Sequence, residues 1–347
     1  MKKIAVLFGG CSSEYEVSLQ SAYGVISNID RTKYTPILIG IDRLGKWFLF
    51  EGKEEAIIND TWHQERECYE AVVSTDKSLH GILVWRNGRK GSVEEISLTA
   101  AFPVLHGKNG EDGTVQGVLE LADIPVIGCN TLSSAVCMDK DMAHRLAKEA
   151  GILVPKSVVI AKGAKEKREG LIEEIGFPVF VKPLRAGSSF GITKVERKED
   201  LKAALDVAFF HDDFAVAEEM IEGFEVGCAV LGKEELILGE VDEIELSQGF
   251  FDYTEKYTLK SSQIYVPARI SKEKAEEIKA TAKVIYQALG CSYFARIDMF
   301  LTPKGQIYFN EVNTIPGFTE HSRYPGMMKA ADISLKEVVN RLIEMAV

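Results

Sequence analysis

The sequence lacks the features that mark membrane and secreted proteins. No apolar run approaches the roughly 18 residues that span a bilayer. The apolar segment after Lys3, Ile4–Phe8, is shorter than the ~7–15 residues of a signal-peptide core. We therefore expect no membrane partner, and we interpret this opening segment as a buried first β-strand.

Cysteine pairs and positive charge are also scarce. The six cysteines of this 347-residue chain show no Cys-x-x-Cys spacing, which argues against a disulfide framework or a zinc site and fits a reducing, cytoplasmic location. The net charge of −11 disfavours nucleic acid as a partner. An anionic nucleotide can still bind through local lysines, arginines and a metal ion, since distant charges are screened.

The remaining composition is that of a globular protein, with 46% hydrophobic and 27% charged residues. The length predicts two or three domains. Neither a Gly-x-Gly-x-x-Gly dinucleotide motif nor a Gly-Lys-[Ser/Thr] phosphate loop follows a predicted strand.

The segment 296–313 predicts a β-hairpin, because two apolar-rich runs flank a turn with Pro303 and Gly305. If Thr302 pairs with Gly305, Asp298 lies opposite Phe309. Arg296 then lies opposite Glu311. The pattern therefore gathers four polar side chains on one face of the hairpin: Arg296, Asp298, Glu311 and Asn313.

Two carboxylates and an amide oxygen on one strand face suit Mg²⁺, which binds oxygen ligands and shares them with substrate phosphates. An exposed sheet face with a simple Arg–Glu pair is the alternative that the hairpin alone leaves open.

The first part of the chain predicts a βα domain with a parallel sheet over residues 1–125. Ser13 and Glu16 have capping-box spacing, so a helix is expected to begin there and to leave Glu14 available for a ligand amine. A second strand is predicted over 34–41, whereas residues 45–91 look irregular. His106 follows a third strand in a glycine-rich loop, either at a ligand-binding edge or in a plain turn.

The middle of the chain predicts a helix over 133–150 that ends at Gly151. A strand then leads through Lys182 into a loop of small residues that could wrap phosphate oxygens. Another strand covers 215–221. The long, weakly regular stretch 240–267 is typical of a lid.

Together these segments resemble the D-alanine–D-alanine ligase family of the ATP-grasp superfamily, nearly from end to end. Within it, they are most similar to the vancomycin-resistance D-alanine–D-serine ligases. Five motifs in family order carry the resemblance: His106-Gly107…Glu111-Asp112-Gly113, Met138-Asp139-Lys140, Lys182-Pro183…Gly187-Ser188-Ser189-Phe190-Gly191, Arg296-Ile297-Asp298 and Glu311-Val312-Asn313-Thr314…Pro316-Gly317.

The resemblance implies an α/β protein with the ATP-grasp fold, in which an N-terminal parallel-sheet domain precedes two α+β domains that clamp ATP. The expected division is an N-terminal substrate-binding domain at 1–125, a central subdomain at 126–215, and a C-terminal subdomain at 216–347 with a lid at 240–260. Family membership further implies a homodimer that acts in peptidoglycan synthesis, cell-wall biogenesis, cell shape and antibiotic resistance.

The resemblance also implies roles for individual residues. For ATP these are Lys140, Lys182, Glu218, Glu219, Ile221, Glu225 and Lys256, where Glu219 departs from the lysine common in the family. Two Mg²⁺ ions, replaceable by Mn²⁺, would be held by Asp298, Glu311 and Asn313. The expected catalytic residues are Glu14, Ser188, Tyr257, Arg296 and Gly317, with His106 as a further candidate.

The implied reaction is ATP-dependent ligation of D-alanine to a second substrate through a D-alanyl phosphate. Asp242, Phe251, Ser322 and Arg323 match the pattern of enzymes that accept D-serine, giving a dipeptide that lowers vancomycin affinity. The alternatives are a D-alanine–D-alanine ligase, a structural Arg323–Asp242 pair, and a non-catalytic nucleotide sensor of the same fold. An ATP-grasp carboxylase or purine-pathway ligase lacks support in the loop around His106.

Overall fold

The computed structural model describes residues 1–64, 66–164, 169–187, 190–246 and 262–347. The described residues form three β-sheets. Within these residues, no helix has the length and apolar character needed to cross a membrane.

The first sheet has seven strands in the order β6-β5-β4-β3-β2-β1-β7. Its strands are β1 (Lys2–Gly9), β2 (Tyr34–Ile41), β3 (Trp47–Phe50), β4 (Cys68–Val73), β5 (Gly81–Trp85), β6 (Val93–Ser97) and β7 (Ala100–Pro103). Only β2-β1-β7 is parallel, and the other strands extend the sheet in antiparallel fashion. The expected parallel sheet is therefore mixed, and the region 45–91, predicted to be irregular, supplies three of its strands.

Helices α1 (Tyr15–Asn28), α2 (Glu55–Ile58) and α3 (Thr114–Leu121) accompany this sheet. The predicted capping box at the start of α1 is wrong. The N-cap residue is Glu14, without a side-chain cap hydrogen bond, and Glu16 is exposed and paired with Arg43 at 2.6 Å. Glu14 is buried instead and faces the site.

The predicted helix over 133–150 is two helices, α4 (Thr131–Met138) and α5 (Lys140–Glu149). The chain turns at Asp139, whose extended backbone ends α4 and whose side chain accepts a hydrogen bond from the Met142 amide at 3.1 Å. This break puts Lys140 in the first turn of α5. Gly151 follows α5 with φ +86°, as predicted for its end.

The central sheet has the order β10-β9-β11-β8. It comprises β8 (Ser157–Ala161), β9 (Val179–Pro183), β10 (Thr193–Val195) and β11 (Phe214–Glu219), with helices α6 (Glu169–Ile175) and α7 (Leu201–His211). The expected boundary between 215 and 216 cuts through β11, which pairs with both β8 and β9. A division by sheets therefore places this boundary after β11, and the division into three domains stays a prediction.

The third sheet follows the order β15-β14-β12-β16-β17, with β13 paired to β12. Its strands are β12 (Phe224–Gly232), β13 (Leu236–Leu238), β14 (Asp242–Leu246), β15 (Ser262–Tyr265), β16 (Tyr293–Leu301) and β17 (Ile307–Asn313). Helices α8 (Lys272–Ala288) and α9 (Arg323–Ala330) pack with it, and α10 (Leu335–Glu344) packs against α1 and α9.

The predicted hairpin is β16–β17, but its register differs from the expected one. The turn closes from Thr302 to Gln306, and a bulge after Asp298 adds a second one-residue shift, so Asp298 lies opposite Glu311 rather than Phe309. Arg296 correspondingly pairs with Asn313 rather than Glu311. The two one-residue shifts add up to two residues, which is the repeat of side chains on one face of a strand. The predicted polar residues therefore still share a face.

The hydrophobic cores show which of the three sheets pack together. Phe102 of the first sheet contacts Phe294 and Phe318 of the C-terminal part, with ring centroids 5.7 and 5.8 Å apart, so these two parts share one core. The central sheet and α7 enclose a separate core that includes Val181 and Leu205. The site lies where this separate unit meets the other two sheets.

Asp139→Ala tests the break between α4 and α5. Loss of an N-cap side chain costs about 1 kcal/mol, so we expect the free energy of unfolding in urea to fall by about that amount. Glu149→Ala, an exposed change at the opposite end of α5, should stay within about 0.5 kcal/mol. Equal effects of the two substitutions would contradict the capping role.

Candidate active site

The centre of the site is Asp298, a carboxylate with 1% exposure in the middle of the third sheet. Arg296 Nε and Nη2 donate to its two oxygens at 2.8 and 2.7 Å. Asn313 Nδ2 donates to Oδ2 at 2.9 Å, and Arg323 Nη1 lies 3.3 Å from Oδ1. These contacts compensate the cost of burying a charged carboxylate. Arg296, Asp298 and Asn313 therefore meet as the sequence predicted.

A second group of carboxylates lies at the edge of the first sheet. Glu111 is half-buried, and its oxygens accept hydrogen bonds from the backbone amides of Gly107 and Ile315 at 2.8 and 3.0 Å. Burial, followed by repulsion from Glu14 and more weakly from Glu311, raises the pKa of Glu111 to about 8. Three carboxylates are thus concentrated here, and burial together with their repulsion outweighs the two amide hydrogen bonds.

Glycines allow the backbone to approach Glu14 closely. A Cβ on Gly107 would lie 2.5 Å from Glu14 Oε2, and one on Gly187 would lie 3.0 Å away. The carboxylate of Glu14 therefore sits between the loop after β7 and the loop after β9. This is a suitable place for a small cationic group from a substrate.

Two units contribute the lysines, because Lys182 lies on β9 of the central sheet whereas Lys140 begins α5, which packs in the core of the third sheet. Lys140 Nζ donates to the carbonyl oxygen of Ala186 at 2.8 Å, and Lys182 Nζ pairs with Glu218 Oε2 at 2.6 Å. Burial raises the pKa of Glu218, but the neighbouring Lys182, His144 and Lys140 together outweigh this effect and hold that pKa below its usual value. Lys140 shares a narrow cleft with Glu111, Glu311 and Asn313. Lys140 thus reaches from the unit of the third sheet to the central loop at Ala186 and faces the carboxylates of Glu111 and Glu311.

The other residues predicted for ATP lie on or just after β11 and at the start of β12. Glu219 Oε1 accepts from the Lys156 amide at 2.8 Å, Ile221 is half-buried, and Glu225 Oε1 accepts from Arg323 Nη1 at 2.6 Å. Glu219 and Glu225 are therefore held by protein partners in this structure, with Glu225 close to the residues predicted for specificity.

Two residues predicted for specificity form one buried ion pair. Arg323 Nε and Nη2 donate to Asp242 Oδ2 and Oδ1 at 2.7 and 2.8 Å. Burial lowers the pKa of Arg323, but the carboxylates of Asp242, Asp298 and Glu225 outweigh this effect and raise it above its usual value. Arg323 therefore remains a cation inside the protein.

The remaining predicted residues lie near the end of α1. Ser322 Oγ would be 2.7 Å from a Cβ on Gly317, so Gly317 makes room for this hydroxyl. His106 Nε2 lies 3.1 Å from Ser21 Oγ, which also accepts a hydrogen bond from the Phe318 amide. Burial lowers the pKa of His106. These residues link the first sheet to the segment after β17.

Four predicted residues lie outside the described part of the chain: Ser188, Phe251, Lys256 and Tyr257. The same holds for most of the predicted lid at 240–260, of which 240–246 are described and begin β14. Their predicted roles stay predictions.

The described side chains fit a divalent ion by their chemistry. Asp298, Glu311 and Asn313 offer oxygen ligands, and the raised pKa of Glu111 reflects an excess of negative charge that a cation would offset. Across the described residues, no three His, Cys, Asp or Glu side chains form a ready-made metal cluster. An ion at Asp298 would therefore replace contacts that Arg296, Asn313 and Arg323 now make.

Two residues of the site had been missed as functional candidates. Glu111 stood in the predicted loop motif but had no role, because the sequence could not show that it meets Glu14 and Glu311. Gly227 lies opposite both Asp242 and Asp298. An isolated glycine within a strand pattern signals a close approach, and this signal was available.

Glu14→Gln tests the carboxylate group. Because the pKa of Glu111 is about 8, above its ordinary value, the folded state retains a proton that the unfolded chain loses, so stability declines as pH rises from about 4.5 to 8. Removing the Glu14 charge should lower the pKa of Glu111. The free energy of unfolding of the variant, minus that of the natural protein, should therefore increase by about 1 kcal/mol from pH 5 to pH 9.

Thermal unfolding at both pH values provides the measurement. The control is Glu16→Gln, which removes an exposed carboxylate from the same helix and should shift stability equally at pH 5 and pH 9. If the stabilities of Glu14→Gln and of the natural protein change with pH in the same way, Glu14 does not repel the carboxylate of Glu111.

Two family models match the chain and together cover most of it. The model described as D-ala D-ala ligase N-terminus matches residues 3–129, and the model described as D-ala D-ala ligase C-terminus matches residues 146–344.

Individual relatives align with this chain over nearly their whole length. The vancomycin/teicoplanin A-type resistance protein VanA of Enterococcus faecium is 46% identical, over 99% of this chain and 98% of that protein. A D-alanine–D-alanine ligase of Caldicellulosiruptor bescii is 43% identical, over 99% and 95%. Among solved structures, the VanG D-Ala:D-Ser ligase of Enterococcus faecalis is 57% identical with a TM-score of 0.93, over 100% and 99% of the two chains. The chain therefore belongs to the D-alanine–D-alanine ligase family, has its ATP-grasp fold, and is an ATP-dependent ligase.

Proposed function

We propose that this protein joins D-alanine to D-serine at the expense of ATP. The observation that carries the proposal is the buried Arg323–Asp242 pair beside the Arg296–Asp298 pair, because it puts a fixed polar pair next to the candidate transfer site. The 57% identity to a solved D-Ala:D-Ser ligase supports the same choice of second substrate.

D-Alanine would enter first, with its ammonium group held by the Glu14 carboxylate between Gly107 and Gly187. A carboxylate oxygen of D-alanine attacks the γ-phosphorus of ATP, which gives D-alanyl phosphate and ADP. Lys140 and Lys182 are placed to bind the phosphates. Arg296 is placed to stabilise negative charge that develops on the reacting carboxyl group.

Asp298, Glu311 and Asn313 would hold Mg²⁺, or Mn²⁺ in its place, and two ions are expected. When bound, the metal supplies positive charge that offsets the charge of the phosphate oxygens.

The amine of D-serine, once deprotonated, attacks the carbonyl carbon of D-alanyl phosphate. A peptide bond forms and inorganic phosphate leaves. Gly317 and Ser322 would line the second subsite with Arg323, and His106 would support it through Ser21. Ser188 and Tyr257 complete the proposed catalytic set. Glu218, Glu219, Ile221, Glu225 and Lys256 are the proposed contacts of the nucleoside.

Within the described residues, the Arg323 guanidinium has one donor left for the serine hydroxyl. Its three side-chain hydrogen bonds and its 3.3 Å contact with Asp298 occupy four of the five N–H groups that a guanidinium carries. The methyl side chain of D-alanine offers no oxygen to the remaining donor, so a buried polar group would stay unpaired in its complex. Phe251 is the proposed apolar wall of this subsite.

The family relationship supports action in the cytoplasm as a homodimer, on small-molecule substrates. The dipeptide would enter peptidoglycan precursors, and its serine terminus would lower their affinity for vancomycin. The second candidate is a D-alanine–D-alanine ligase, favoured by the identity to the Caldicellulosiruptor bescii enzyme. A ligase for D-lactate is disfavoured, since D-lactate ligases of this family carry a histidine in the lid and residues 240–261 of this chain contain none.

Phosphate release at neutral pH, with ATP, Mg²⁺, D-alanine and each second substrate, tests the function. We expect kcat/KM for D-serine to exceed that for D-alanine by about 10- to 100-fold, since an unpaired buried polar group costs about 1–3 kcal/mol. Reactions with D-lactate and reactions without any amino acid serve as controls, since D-alanine alone can act as both substrates. Preference for D-alanine would select the second candidate, and amino-acid-independent release would count against both.

Glu311→Gln tests the proposed metal site. The amide keeps the size of the side chain but removes its charge, so we expect kcat to fall by about 100-fold or more, with an unchanged circular dichroism spectrum and an unfolding midpoint no lower than that of the natural protein. Glu276→Gln, on an exposed residue of α8, is the matched control and should keep full activity. Normal turnover by Glu311→Gln would remove Glu311 from the metal ligands.

A further inference from the structure

Four adjacent strands place Asp242, Gly227, Asp298 and Glu311 in one row across the third sheet. Asp242 of β14 lies opposite Gly227 of β12, Gly227 lies opposite Asp298 of β16, and Asp298 lies opposite Glu311 of β17. Directly paired residues point to the same face of a sheet. The row therefore joins a residue proposed for the second substrate to two residues proposed for the metal.

Gly227 leaves a space in this row, and Arg323 fills it. A Cβ at Gly227 would lie 2.5 Å from Arg323 Nη2, 2.7 Å from Asp242 Oδ1 and 2.9 Å from Met327 Cε. The guanidinium spans the width of one strand, with Asp242 on one side and Asp298 at 3.3 Å on the other. Any larger residue at 227 would occupy the same space.

The charges around Arg323 do not cancel. Three carboxylates, those of Asp242, Glu225 and Asp298, contact this guanidinium, and Arg296 supplies the second positive charge at Asp298. Asp242 has 0% exposure and Arg323 has 8%, so solvent screens their interactions little. A divalent ion at Asp298 would therefore experience the field of Arg323 directly.

We propose that Arg323 couples the two sites: through the space at Gly227 it acts as a shared counter-ion of the second-substrate subsite and of the metal carboxylate Asp298. The part that concerns the second substrate rests on the proposed function. The guanidinium competes with a divalent ion for the charge of Asp298, so the residue that selects the second substrate also lowers the affinity for metal. A substitution that changes selectivity at 323 changes metal binding with it.

Titration of the protein with Mn²⁺ alone, followed by the electron paramagnetic resonance signal of the free ion, tests this proposal without turnover. Arg323→Leu removes the competing cation and leaves three carboxylates near the ion, so we expect the Mn²⁺ dissociation constant to fall by about tenfold or more. Arg323→Lys retains the charge and should stay within about threefold of the natural protein. Arg341→Leu removes an exposed arginine paired with Glu337 and should change nothing.

Two further variants make the outcomes unambiguous. Adding Asp298→Asn to Arg323→Leu should abolish the gain in Mn²⁺ affinity, which would show that the ion binds in the row that contains Asp298. Arg323→Gln loses the charge but retains amide donors, and it replaces Arg323→Leu if that variant does not fold. Equal Mn²⁺ affinity with and without the Arg323 charge, or no measurable binding to any variant, would overturn the proposal.

Failure of the coupling and failure of the proposed function are distinguishable. The Mn²⁺ titration contains neither ATP nor an amino acid, whereas the function is decided by phosphate release with D-serine and D-alanine.

Discussion

Everything in the site depends on a negative charge buried in the middle of a sheet. A carboxylate taken out of water is strongly unfavourable unless cations and hydrogen-bond donors surround it. Asp298 meets this requirement with Arg296, Asn313 and Arg323. Each partner then restricts its own neighbours: Arg323 needs a position without a side chain at Gly227, and it holds Asp242 and Glu225 against the same face.

The distribution of charge over the three sheets follows from the same requirement. The first and third sheets share a core and bring carboxylates to their common edge, among them Glu14, Glu111 and Glu311. The central unit has its own core and contributes Lys182, whereas Lys140 on α5 reaches from the unit of the third sheet to the central loop at Ala186. Lysines and carboxylates therefore meet where these separately packed units come together. A polyphosphate with its metal can join them, because its anionic oxygens suit the lysines and the metal suits the carboxylates.

Much of this could be predicted from the sequence where the pattern was local. The strand Tyr34–Ile41 has the predicted bounds, and the hairpin carries its polar residues on one face because strand alternation depends only on parity. The failures have different causes. The bulge after Asp298 depends on the pairing with β17 and is not visible in the strand pattern. The break at Asp139 is local, because the Asp139 side chain caps the first turn of α5, a signal that lay within the longer helical pattern. Residues 45–91 form strands because they extend an existing sheet, although their own periodicity is weak.

The position of Arg323 connects residues that we propose for selectivity with a residue that we propose for the metal. Asp242 and Asp298 are not neighbours in sequence, and only the empty position at Gly227 lets one guanidinium touch both. If Arg323 moved to contact only one of these carboxylates, the other would lose an ion-pair partner at a buried position where water cannot replace it. The row therefore behaves as one electrostatic unit, and a change at either end is felt at the other.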